Sequence, residues 1–248
     1  AILAAGEDPM LHIRNQLADA INKLNSARLY NQLAGLFGTA LSGHSLDKAV
    51  AATSGQAEAN FLTAANVAEA RSVLGERGDE LDILVVHPSV AYYLYQVGML
   101  TFSTSALTAS GAVTWGGGGV GIGAREVGEF AGMRVIVDSQ VNTVRPGTAT
   151  HISEFRCYMM KSGTILEGVQ QDLRVEADRN ILSKQDVISV DYHTAYHVMG
   201  TKWGNAADNP TNAQLATAGN WTATYDIDLI PMVELIVNTP LDTTAIPS

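Results

Sequence analysis

The chain has 248 residues, 46% of them hydrophobic and only 16% charged, and carries a net charge of −10 at neutral pH. That length supports one large or two smaller domains with real hydrophobic cores. The acidity and the scattered placement of the 15 Lys and Arg exclude a tight sequence-specific DNA binder, which needs a basic face to neutralise phosphates.

Charged content well below the ~25% of an average globular protein suggests an exterior covered partly by neighbours. Cys157 is the single cysteine, so no intrachain disulfide can form. Its context, Phe155 to Met160, reads as a strand, so a buried core residue is expected there rather than a nucleophile with a partnered base. A reducing compartment suits this composition. No apolar run reaches the ~18 residues of a transmembrane helix, and no signal peptide stands out. The sequence opens at Ala1 without methionine, so a preceding segment is expected to have been cleaved or to be missing from this sequence.

Asp8-Pro9 opens the first strong element, with Asp8 as a cap and Pro9 suited to the first helical position. Met10, Ile13, Leu17, Ala20, Leu24 and Ala27 recur at three- and four-residue steps. Leu33, Leu36 and Phe37 continue the apolar character, and Gly35 and Gly38 supply the stop. The spacing predicts a helix of roughly 25–30 residues, against a mean near ~12, reaching ~40 Å. With Arg14, Asn15, Asn22, Lys23 and Asn25 on its other face, it is a strut exposed on one side.

Residues 39–57, rich in Gly, Ser, Thr and Ala, read as a connection, and residues 58–77 as a second helix. Arg77-Gly78-Asp79-Glu80 ends it, which makes Arg-Gly-Asp a turn rather than an adhesion motif. Leu81 to Val86 is a buried strand, followed by His87-Pro88 and a helix from Ser89 to about Leu100 with Tyr92, Tyr93 and Tyr95 at its surface. Residues 101–124 form a long loop around Gly116 to Gly119, and Gly132 to Asp138 form the next strand.

From Thr150 onward strands dominate. Ile152–Met160 and Thr164–Gly168 read as a hairpin turning at Lys161-Ser162-Gly163. Asp186 to Trp203 alternates, with Ile188, Val190, Tyr192, Tyr196 and Val198 on one face and Ser189, Asp191, His193, Ala195 and His197 on the other. At ~3.3 Å per residue it reaches ~50 Å, beyond the usual strand of about 3–10 residues. Gly204 to Asn220 is a polar loop, Trp221 to Val237 makes a closing strand or two, and Pro240 to Ser248 is a tail.

The motifs that would carry chemistry fail on context. Gly119-Val120-Gly121-Ile122-Gly123-Ala124 has the glycine spacing of dinucleotide binding, which works only between a buried strand and a helix. Ser110 to Trp115 before it is not such a strand, and Arg125-Glu126-Val127-Gly128 after it is a poor helix. His193 and His197, with Asp191 nearby, have a zinc-like spacing, but on a strand they stand ~13 Å apart and cannot share a metal. His87 reads as a helix entry, because no partnered nucleophile is identifiable. Glu167, Asp172, Glu176 and Asp178 interleave with Arg174 and Arg179, which reads as a salt-bridged surface or a subunit contact rather than an acid/base pair in a cleft. Asn220-Trp221-Thr222 matches a glycosylation sequon, without a secretory signal to give it meaning. No catalytic, cofactor-binding or metal residue is therefore expected, and no enzyme.

The order of elements is itself distinctive. Leu33-Ala34-Gly35-Leu36-Phe37 closes the strut, Leu84-Val85-Val86-His87-Pro88-Ser89 leads to Leu94 and Leu100, and Gly132 to Asp138 follows. Asp186-Val187-Ile188 then runs to Gly200-Thr201-Lys202-Trp203. Over about residues 8–203 the chain resembles tailed-bacteriophage major capsid proteins with the HK97-like fold. The resemblance implies an α+β fold with a peripheral domain (long spine helix plus long β-strands) and an axial domain (a central sheet flanked by helices). It divides the chain into residues 1–40, the N-terminal region and spine helix; 41–163, the axial domain; 164–203, the peripheral long strands; and 204–248, a loop and C-terminal segment returning to the axial domain. In this family an N-terminal arm and an extended loop precede the spine, whereas only seven residues precede Asp8 here. Those parts are expected to be missing from this sequence or replaced in a processed or divergent form.

The resemblance further implies hexamers and pentamers in an icosahedral head, assembled in a bacterial host's cytoplasm around double-stranded DNA and away from membranes. Portal, scaffolding and decoration proteins are its expected partners. Residues 101–124 and 204–220 would supply adaptable contacts. Two other readings stand beside it: an encapsulin-like cellular shell of the same fold, and an α/β enzyme binding nucleotide at Gly119–Gly123.

Overall fold

The computed structural model describes residues 9–50, 57–100, 125–145, 153–180 and 185–241. Helix α1, Pro9–Gly38, is 30 residues long, the strut that the apolar stripe predicts. In its C-terminal half Tyr30, Leu33, Leu36 and Phe37 are buried. Leu24 lies on the predicted stripe yet is 55% exposed, whereas Ile21 one turn before it is buried, so the stripe is not covered evenly among the described side chains. Gly35 does not stop the helix but lets another segment approach it: a Cβ there would meet the Leu215 carbonyl oxygen at 2.1 Å. The helix ends at Gly38, and the Leu41 amide turns back to the Leu36 carbonyl at 2.9 Å.

Among the described residues, seven strands form one mixed sheet. They are β1 (Ser45–Asp47), β2 (Ile83–Val86), β3 (Arg125–Phe130), β4 (Met133–Val137), β5 (Thr143–Arg145), β6 (Glu154–Met160) and β11 (Met232–Val237). The order across the sheet is β1-β11-β6-β2-β4-β3, with β5 on β6. β1 runs parallel to β11 and β2 parallel to β4, and the other pairs are antiparallel. The period of two along each strand divides the core into two layers. Phe155, Cys157, Met159, Leu84, Val86, Val233 and Leu235 face one side, against α2 (Ala64–Ser72) and α3 (Pro88–Gln96). Tyr158, Met160, Val85 and Met232 face the other, against Leu33, Leu36 and Phe37 of α1. Tyr158 stacks between Tyr30 and Phe37, at centroid distances of 6.2 and 5.8 Å.

Several expectations are corrected. Residues 39–57 hold more than a connection, because a 3-10 turn at Ser42–His44 leads into β1 at the sheet edge. The helix expected over 58–77 is broken: α2 is capped by Thr63, whose hydroxyl accepts from the Asn66 amide, and Gly75 at φ +57 cuts it from a 3-10 segment, Gly75–Glu80. Tyr93 is buried, edge-on to Phe61, whereas Tyr92 stands in solvent. Arg125 to Gly128 belong to strand β3, joined to β4 by Ala131-Gly132, both at positive φ as a two-residue hairpin turn requires. The expected hairpin across Lys161-Ser162-Gly163 does not form, since β11 and β2 already flank β6. The residues beyond the turn enter β7, Ile165–Asn180, which pairs with β8, Gln185–Val198. The strand expected from Asp186 to Trp203 is interrupted at Gly200 (φ +78), after which β9 (Thr201–Trp203) pairs with β10 (Trp221–Ala223). Within the segment read as a polar loop, Thr211 and Gln214 form a capping box on the short helix α4, Asn212–Leu215. The loop expected at 101–124 lies outside the described residues.

Candidate functional site

The motifs that could carry chemistry take structural places. Cys157 is fully buried in β6, and burial pushes its thiol well above its ordinary pKa, so it stays protonated and inert. Nδ1 of His87 accepts from the Ser89 amide at 3.2 Å, and its ring lies 4.8 Å from Phe155, the helix entry that the His-Pro pair predicts. Arg77 donates to the Leu229 carbonyl at 2.7 Å and pairs with Glu80 at 3.3 Å, which fixes Arg-Gly-Asp in the fold. Asn220 donates its side-chain amide to the Gln214 carbonyl at 2.9 Å, and the Trp221 ring is buried. The glycine fingerprint, Gly119 to Gly123, falls outside the described residues.

His193 and His197 are exposed on one face of β8, opposite Gln171 and Leu166 of β7. Among the described residues no group of three His, Cys, Asp or Glu converges as a metal site. Glu167, Asp172, Glu176 and Asp178 spread along β7 in solvent, and Arg174 pairs with Glu176. The Tyr196 hydroxyl donates to Glu167 at 3.4 Å; desolvation, reinforced by the Glu167 charge, pushes it up to about 12. A solvated ribbon with alternating charge offers no cleft that would separate two carboxyl pKa values.

The buried polar groups on the α1 face of the sheet belong to no sequence motif. Glu234 is almost fully buried within the apolar run of β11 and pairs with Arg156 of β6. It also accepts from the Ser45 hydroxyl of β1 at 2.6 Å, so one carboxylate ties three strands together. Burial works against the Arg156 charge, but Glu234 beside it more than offsets this and holds its pKa above the ordinary value. The Tyr30 hydroxyl of α1 donates to Asp138 at 3.0 Å, and burial raises its pKa, with Asp138 adding to the effect. His44 is buried, with Nδ1 3.1 Å from the Met232 carbonyl and Nε2 3.8 Å from Asp228; desolvation lowers its pKa. The one sequence signal for this cluster is Glu234 itself, a lone charge in Met232-Val233-Glu234-Leu235-Ile236-Val237 that a buried strand tolerates only with a partner.

The unusual surface lies outside this core. β7 and β8 pair only with each other among the described residues. Leu166, Val169, Leu173, Val175 and Val187 on this ribbon are all exposed. Along β8 the even positions from Val190 to Tyr196 are half-buried and the odd ones exposed, as the alternation predicts. No described helix is long and apolar enough to cross a membrane. A mixed α+β body with a 30-residue strut and a long two-stranded ribbon, paired with no further strand among the described residues, fits a structural subunit better than a catalyst.

The family comparison agrees. The model of the phage capsid protein family matches residues 3–208, and the chain belongs to that family. None of the curated proteins matches it. Membership makes the chain a structural component of a virion capsid and makes further copies of itself its partners in a shell.

Proposed function

We propose that this chain is the major capsid protein of a tailed phage, arranged in the HK97-like manner. In this reading α1 with β7 and β8 forms the peripheral domain, and the seven-stranded sheet with α2 and α3 forms the axial domain. The C-terminal β11 returns to that axial sheet, beside β6. Copies join as hexamers and pentamers into an icosahedral head around double-stranded DNA, assembled in the host cytoplasm. Portal, scaffolding and decoration proteins are partners at that stage. The observation that carries the reading is a two-layered core beside which a long helix and a long ribbon both present exposed apolar side chains: Leu24 on one, Val169 and Val175 on the other. Exposed apolar surface on a chain this low in charge is what repeated subunit contacts cover.

Negative-stain electron microscopy of the purified full-length protein tests this. Closed shells with hexameric and pentameric capsomers are expected. A strictly monomeric product at micromolar concentration overturns the reading, and shells that package protein cargo instead of DNA replace it with a cellular compartment.

A further inference from the structure

We infer that β8 pairs with β8 of a second copy, antiparallel across a two-fold axis at Tyr192, so that two ribbons become one four-stranded sheet. This rests on the shell reading for the identity of the partner and goes beyond it by naming the strand, the register and the symmetry. An isolated two-stranded hairpin is marginal in water, yet β7 and β8 run 16 and 14 residues with no other strand beside them among the described residues.

The two outer edges of the ribbon differ. The register shifts twice, between Val169 and Gln171 and between Gln171 and Arg174, and each shift leaves an extra residue on the β7 side. Bulges of this kind twist an edge away from further pairing. β8 is continuous from Gln185 to Val198 and carries no extra residue. Its edge is the one suited to accept another strand.

The sequence of β8 then selects the register. A two-fold axis normal to the sheet places residues on opposite strands with the same face up, so the axis passes through a residue position. An axis at Asp191 would oppose two like carboxylates. An axis at Tyr192 opposes Asp191 of each copy to His193 of the other, twice. On the same exposed face Ser189 meets Ala195, and on the half-buried face Val190 meets Thr194 and Tyr192 meets Tyr192. Aromatic pairs and side chains that can hydrogen-bond across the strands, such as an imidazole facing a carboxylate, are cross-strand combinations that stabilise a sheet, and like charges directly opposite are the ones that break it. This register also overlaps nearly the whole strand, from Val187 to His197.

Cysteine crosslinking of the full-length protein tests the register. Under mild oxidation Tyr192→Cys is expected to give a disulfide-linked dimer and Asp191→Cys is not; buried Cys157 stays silent in both. Equal crosslinking at the two positions, or none at Tyr192→Cys in material that forms shells by microscopy, overturns the inference. A change of charge provides a second readout that does not depend on cysteine. His193→Asp, which faces the neutral Gln171 within its own ribbon, is expected to lower the paired species by roughly tenfold or more, and His193→Asp with Asp191→Asn to restore it. Loss without restoration by the double variant also overturns the register. If the wild type forms no shells while Tyr192→Cys still dimerises, the shell reading fails and the strand pairing stands.

Discussion

Arg156 and Glu234 form an ion pair inside the central sheet, lying diagonally across the antiparallel strands β6 and β11. Directly opposite partners in this register are Tyr158 with Glu234 and Arg156 with Ile236, so the pair spans one diagonal step. A charge this deep is stable only while its partner remains. Glu234→Ala should therefore cost about 3–5 kcal/mol, because it leaves the Arg156 guanidinium uncompensated and removes the acceptor of the Ser45 hydroxyl. Arg156→Met with Glu234→Leu should recover most of that loss, since an apolar pair of similar volume restores packing without stranding a charge. Urea denaturation of the three proteins checks both, and a double variant no better than Glu234→Ala would show that the charges themselves are needed.

The contact between α1 and the segment before β10 depends on a missing side chain. Gly35 allows the Leu215 carbonyl to lie against the helix, where it also accepts the Trp221 indole N–H at 2.7 Å. Gly35→Ala forces a Cβ into backbone rather than into a flexible side chain. The expected cost is about 1–3 kcal/mol, as for overpacking elsewhere, despite the better helix propensity of alanine. Gly43→Ala, whose Cβ would meet only Ile227 Cδ1 at 3.4 Å, serves as the control and should change far less. Thermal melting of both variants reads the difference.

His44 gives the fold an acid limit. Its ring is buried, and desolvation lowers its pKa although Met232 and Asp228 favour the charged form. The folded protein thus binds fewer protons here than the unfolded chain, whose imidazole titrates near ~6.5. Stability is full above that value and falls as pH drops through it, until the folded-state ring also protonates. Melting temperature measured from pH 7.5 to pH 5 should decline, and His44→Gln should flatten the decline. An unchanged slope in the variant would assign the acid sensitivity to another group.

How far the sequence speaks for this fold depends on the range of the interactions. α1 and β8 are legible because their signals are local: a three- and four-residue apolar step in one, strict alternation from Ser189 to Val198 in the other. β1 is not legible. Ser45-Leu46-Asp47 is three residues long, and among the described residues its strand partner is β11, which it meets from Glu234 onward, 189 positions later. The partner of β7 is misread for a related reason. A tight turn at Lys161-Ser162-Gly163 suggests a hairpin, but the flanks of β6 are already taken by β2 and β11, which only the assembled sheet reveals. The same distance hides the polar cluster, since Glu234, Arg156 and Ser45 share no motif and meet only across three strands.

The hairpin turn between β3 and β4 stores a small strain that a single atom group accounts for. Ala131 sits at φ +51 and Gly132 at φ +76. The glycine adopts this conformation freely, but an L-residue with a Cβ pays about 1 kcal/mol or more in the left-handed region. Ala131→Gly removes that Cβ from an exposed position where no packing is lost. Greater freedom of the unfolded chain offsets part of the gain. The net expectation is a stabilisation of up to ~1 kcal/mol, seen as a higher urea midpoint with an unchanged slope. Gly132→Ala, at the neighbouring position of the same turn, should move the midpoint the other way. If both variants shift together, side-chain packing rather than backbone conformation governs this turn.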